Sequence, residues 1–89
     1  MPYRKIDFKY DLASLHDRLN GLDYSGYCDV MADFLNQARL AGYQEKRLHV
    51  FWARVRKKLD KAYGYKKPLS NDWANVRMRI YRQYGSTRL

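Results

Sequence analysis

Polar and apolar positions alternate in the first ten residues and then change period for the rest of the chain. Over residues 3–10, Ile6, Phe8 and Tyr10 fall on one side while Lys5, Asp7 and Lys9 fall on the other. A period of two marks a half-buried extended segment. With no partner strand in the sequence, this segment is expected either to lie across helices or to pair between subunits. From Asp11 onward the spacing is helical. Asp11 can cap a helix over residues 12–20, with Leu12, Leu15, His16 and Leu19 on one face, and Asn20-Gly21 supplies a left-handed stop. Asp23 or Ser25 can cap a second helix over about 26–41. Its stripe is Tyr27, Val30, Met31, Phe34, Leu35, Ala38 and Ala41, and it ends at Gly42.

The third stretch, from about Gln44 to Tyr63, stops at Gly64. Leu48, Phe51, Trp52, Val55, Leu59, Ala62 and Tyr63 fill one arc of the wheel, and Lys46, Arg47, Arg54, Lys57, Lys58 and Lys61 fill most of the opposite arc. Gly64 to Leu69 reads as a loop by its Gly and Pro. Ser70, Asn71 or Asp72 can cap a fourth helix that turns Trp73, Val76, Ile80 and Tyr84 inward and stops at Gly85. The run Val76 to Ile80 also alternates, so a strand is the competing reading there; the cap and the Trp73–Ile80–Tyr84 spacing favour helix. The fold class expected is all-α: one small bundle of about four helices, residues 1–89, with residues 1–10 as an extended segment and 44–85 as a basic half.

Composition agrees with a folded chain. Of 89 residues, 46% are hydrophobic and 16% aromatic, too many for disorder. The single cysteine, Cys28, rules out an intramolecular disulfide framework. It reads as a small buried apolar group, with a reactive or metal-bound thiol as the competing reading. No apolar run approaches bilayer-spanning length and Met1–Tyr10 has no apolar signal core, so neither a signal peptide nor a transmembrane helix is expected. A cytoplasmic protein without membrane partners is the expectation.

Charge changes the picture most. The chain carries 18 basic and 9 acidic residues, a net +9. Residues 1–43 hold five basic and six acidic residues, net −1; residues 44–89 hold thirteen basic and three acidic, net +10. A near-neutral half beside a strongly basic one reads as a scaffold with an electrostatic footprint. Merely soluble surfaces mix both signs. Lys and Arg neutralise phosphates and release counterions, so nucleic acid, DNA or RNA, is the expected partner. The candidate contacts are Arg47, Arg54, Lys57, Lys58, Lys61, Lys66, Lys67, Arg77, Arg79 and Arg82, expected to form one surface across helices three and four. Tyr63, Tyr65, Trp73 and Tyr81 are interleaved with them, and such aromatics stack on unpaired bases. An acidic protein surface is the alternative partner, because Tyr, Trp and Arg also dominate protein interfaces; a small regulator or inhibitor of the phage or mobile-element type fits it.

Ala38 to Tyr43, followed by Leu48 and Phe51, resembles the helix-turn-helix pattern: a small residue four before a turn glycine, apolar residues one, six and nine after it. The resemblance spans about twenty residues and implies that Gln44, Glu45, Lys46, Arg47, His49 and Val50 begin a recognition helix. Two features depart from the pattern: both helices are long for it, and Gln37 stands where an apolar residue is common. An ordinary helical hairpin accounts for the same residues. His16 and His49 with one cysteine are too few for a zinc site. Glu45 and His49 are spaced to pair on one helix. Nothing is spaced as a nucleophile, a paired acid and base, or a phosphate loop, so no enzymatic activity and no cofactor are expected.

Overall fold

The computed structural model describes residues 8–66 and 72–85. Four helices run through them: α1 Leu12–Leu19, α2 Tyr24–Leu40, α3 Glu45–Tyr63 and α4 Asp72–Tyr84, with no strand among the described residues. Val76–Ile80 lies within α4, so the helical reading of that run holds.

Local chemistry sets the ends. Asp11 caps α1 by accepting from the Ala13 amide at 3.0 Å, and Ser14 Oγ donates to its other oxygen at 3.1 Å. Asp23 is the cap of α2, accepting from the Gly26 amide at 2.8 Å. The helix therefore starts at Tyr24, earlier than a cap at Ser25 permits. The α2–α3 reversal needs Gly42, whose φ of 118° side-chain-bearing residues rarely adopt. α3 ends where Gly64, at φ 64°, lets its amide and that of Tyr65 reach the carbonyls of Asp60 and Leu59.

α2 is the central element. Tyr27, Met31, Leu35 and Ala38 are fully buried, and the helix touches all three others, α4 most extensively. Around it close Leu15 and Leu19 of α1, Leu48, Val55 and Leu59 of α3, and Val76 and Ile80 of α4. Each such aliphatic side chain contributes about 1.5–3 kcal/mol by leaving water. Four inward expectations fail at helix ends. Ala41, Ala62 and Tyr84 are exposed, because the last turns of α2, α3 and α4 run past the core. Tyr63, 43% exposed, instead stacks on His16 of α1 at 4.1 Å.

The extended segment is seen in part. Residues 3–7, with Ile6, lie outside the described residues. Phe8 and Tyr10 pack on the core with Lys9 exposed between them, as alternation requires. Phe8 and Tyr10 meet Phe34 and Phe51 edge-on at 5.2–5.8 Å, and the Phe8 amide donates to Tyr43 Oη at 3.4 Å. The segment lies across α2 and α3 rather than forming a sheet.

Candidate nucleic-acid interface

The buried stripe Leu48–Val55–Leu59 divides α3 into two flanks. At about 100° per residue, turning from Val55 past Phe51 gives Lys58, Arg47, Arg54, Lys61, Val50, Lys57 and Lys46 in order, over about 120° of arc. Turning the other way gives Trp52, Glu45, Arg56, His49 and Asp60. Both carboxylates of α3 thus lie on the second flank, and the first carries six cations and none. All six are exposed, as is Val50 at 54%. From Lys46 to Lys61 the row is about 22 Å long.

The two flanks face different neighbours. On the first, Lys58 Nζ lies 6.0 Å from the Tyr10 ring centroid and the Arg47 guanidinium 4.6 Å from that of Tyr43. Arg54, Lys57, Lys58 and Lys61 make no ion pair among the described residues. The second flank faces α4. His49 stacks on Trp73 at 4.8 Å, Trp52 lies 5.2 Å from Trp73, and Arg56 pairs with Asp72. Glu45 takes the Arg77 Nε at 2.6 Å and the Tyr81 hydroxyl at 3.2 Å, so it pairs across helices rather than with His49. The hydrogen bond from Arg77 holds its carboxyl below the usual glutamate range.

The ten candidate cations therefore divide. Arg47, Arg54, Lys57, Lys58 and Lys61 share one face of α3. The arginines of α4 do not continue that face. Arg77 is held by Glu45 and lies 4.9 Å from the Tyr81 ring centroid; Arg79 is paired with Asp29 of α2, which also accepts from Gln83 at 2.9 Å. Arg82 is exposed with no ion pair among the described residues. Lys66 makes a 3.9 Å contact with Asp60, exposed on both sides and weak. Lys67 lies outside the described residues.

The residues of the helix-turn-helix resemblance form the α2–α3 turn, which an ordinary helical hairpin accounts for as well. Ala38 is fully buried and Leu48 nearly so, as close approach of the two helices requires, and Tyr43 donates its amide to Ala38 O at 3.1 Å. At the start of α3, however, Arg77 and Tyr81 lie against Glu45 and Trp73 covers one face of His49, so α4 occupies one side of the segment that would enter a groove. No family model matches the chain, and neither a curated protein nor a solved structure shows similarity to it.

Two features escaped the sequence. Lys9 and Tyr10 stand beside the cationic flank of α3; their only signal was the outward and inward alternation of the first ten residues. The second is a buried polar cluster. Of the three candidate caps of α4, Ser70 and Asn71 lie outside the described residues; Asp72 is the first residue of α4, is buried, and accepts from the hydroxyls of Tyr24 and Tyr27, both at 2.9 Å, and from Arg56. Burial pushes the Tyr27 hydroxyl up to about 12 against the pull of Arg56, and raises that of Tyr24 as well, so both remain donors at neutral pH. Cys28 is buried, which pushes its thiol up, and no group of three metal-ligating side chains comes together among the described residues. No helix among them is long and apolar enough to cross a membrane.

Proposed function

We propose that the protein binds nucleic acid through the phosphate backbone, using the cationic flank of α3, and that it is a binding protein rather than an enzyme. The observation that carries this is the arc from Lys58 round to Lys46: six exposed cations over about 22 Å with both carboxylates of the helix on the other side. A row of fixed cations without interspersed acids gains by releasing counterions from a polyanion. Contacts of this kind position a protein without reading bases. The reading narrows the site to Arg47, Arg54, Lys57, Lys58 and Lys61. It gives lesser weight to Arg77 and Arg79, whose charges are already met by Glu45 and Asp29.

The test is a titration of labelled single- and double-stranded oligonucleotides at two salt concentrations, with the native protein and the triple variant Arg54→Glu, Lys58→Glu, Lys61→Glu. Native affinity is expected to fall steeply with salt, and the variant to bind every sequence more weakly with a shallower salt slope. Equal affinity of the two proteins, or no binding at low salt, removes the proposal. Val50, exposed within the arc, favours the second reading, an acidic protein surface that makes one apolar contact there. A specific protein captured after nuclease treatment, in the absence of oligonucleotide binding, supports it.

A further inference from the structure

A cleft opens where the extended segment meets the cationic flank of α3. It has a volume of about 410 Å³ and is lined by Phe8, Lys9, Tyr10, Leu12 and Lys58. Three of the five side chains are apolar or aromatic, two are lysines, and none is a carboxylate. The Tyr10 ring is held by Phe34 and Phe51, edge-on at 5.2 and 5.6 Å, and by Phe8, near-parallel at 6.2 Å, so its position is fixed by the core. Lys58 Nζ stands 6.0 Å from the centroid of the same ring and is also the first cation of the α3 arc, while the exposed Lys9 lines the same cleft. A smaller cleft of about 220 Å³ shares Phe8, Lys9 and Tyr10 but reaches away from α3 toward Asp11 and Arg18.

We infer that the larger cleft takes an unpaired nucleobase against Tyr10, with the phosphates on either side of that base held by Lys9 and Lys58, so that the ligand is single-stranded nucleic acid. The inference rests on the nucleic-acid reading and makes it narrower. A base is a flat body with apolar faces tied to two negative charges, and a cleft lined by an aromatic ring and two lysines offers the complement of both parts. A duplex keeps its base faces inside the stack and has only phosphates to present. The α3 arc alone accepts either form; the Tyr10 cleft is the feature that tells them apart. Because stacking is indifferent to base identity, the preference is for strandedness and not for sequence.

The experiment compares three probes on the native protein at one salt concentration: an oligodeoxythymidine, an abasic strand of the same length and phosphate count, and a duplex of that length. The thymidine strand is expected to bind about tenfold more tightly than the abasic strand, the gain that stacking of one or two bases supplies. Tyr10→Leu, which keeps an apolar group over Phe34 and Phe51, is expected to abolish that preference, and Tyr10→Phe to retain it. Equal binding of the thymidine and abasic strands, or an undiminished preference in Tyr10→Leu, overturns the base cleft and leaves the backbone reading standing. No binding of any probe at low salt overturns both.

Discussion

Arg56 of α3 and Asp72 of α4 form an ion pair across the segment that joins the two helices, with side chains only 17% and 6% exposed. Little of either charge meets water, and Asp72 also receives Tyr24 and Tyr27 of α2. The pair therefore ties three helices at one point. Removing one member of a buried pair typically costs about 3–5 kcal/mol, because the other is left uncompensated. Asp72→Ala is expected near that range, since it strands a guanidinium and two hydroxyls together. Arg56→Met is expected to cost less, because Asp72 keeps both tyrosine donors. Urea denaturation of the two variants and the double variant checks this. A larger loss for Arg56→Met would show that the carboxylate is not the centre of the cluster.

Tyr27 makes stability depend on alkaline pH. Its hydroxyl is raised from an ordinary value near 10 to about 12, first by burial, so the folded chain holds a proton that the unfolded chain has lost between those values. A raised folded-state value contributes stability that is fully present below about pH 10 and disappears as pH rises toward 12. The native protein is expected to lose on the order of 2–3 kcal/mol across that window from this residue. Tyr27→Phe, although weaker at pH 8 through loss of its hydrogen bond, should lose less on going to pH 11. Parallel slopes for the two proteins would remove Tyr27 as the source.

The helices were legible because their periods and caps are local. Asp11 and Asp23 cap where a short polar residue before an apolar stripe says they should, and Gly42 and Gly64 stop helices at positive φ. The cationic flank of α3 was legible for the same reason: it is a property of one wheel. The relation between α3 and α4 was not. Whether Arg79 is free or paired depends on which face of α4 meets Asp29, fifty residues away, and periodicity does not encode that pairing. The burial of Asp72 was not legible, because a carboxylate ahead of an apolar stripe has the same sequence signature whether it faces solvent or is buried under two tyrosines. Tyr10 gave no sign of lining a cleft, since a cleft is a property of two elements meeting.

The division of the cations carries its own test. Arg79→Gln removes a partner of Asp29, so it is expected to change stability slightly, by about 1 kcal/mol for a half-exposed pair, and to leave oligonucleotide affinity within about twofold. Arg54→Gln removes a cation with no ion pair among the described residues. It is expected to leave stability unchanged and to weaken binding measurably at low salt, with a salt slope reduced by about 0.7–0.9. Fluorescence anisotropy at matched salt, alongside thermal melts, separates the two. Equal losses of affinity would place the α4 arginines on the binding surface after all.

Tyr65 offers the complement to Tyr27. Both are buried, with ring centroids 6.3 Å apart, and burial raises both hydroxyls. Their hydrogen bonding differs. Tyr27 donates to Asp72 and receives Arg56 Nη1 at 3.0 Å, whereas the buried Tyr65 hydroxyl has no hydrogen-bond partner among the described residues. An unpaired buried hydroxyl carries a desolvation cost with no return, so deleting it costs nothing while the ring stays in place against Tyr27 and His16. Tyr65→Phe is expected to leave stability unchanged or raise it by up to about 1 kcal/mol, and Tyr27→Phe to lower it by about 1–3 kcal/mol, because an Asp72 oxygen and an Arg56 donor each lose a partner. The urea midpoints of the two variants at neutral pH should therefore move in opposite directions from the native value, or Tyr65→Phe should not move at all. A loss in Tyr65→Phe as large as that in Tyr27→Phe would show that the Tyr65 hydroxyl does hold a hydrogen bond that stabilises the fold.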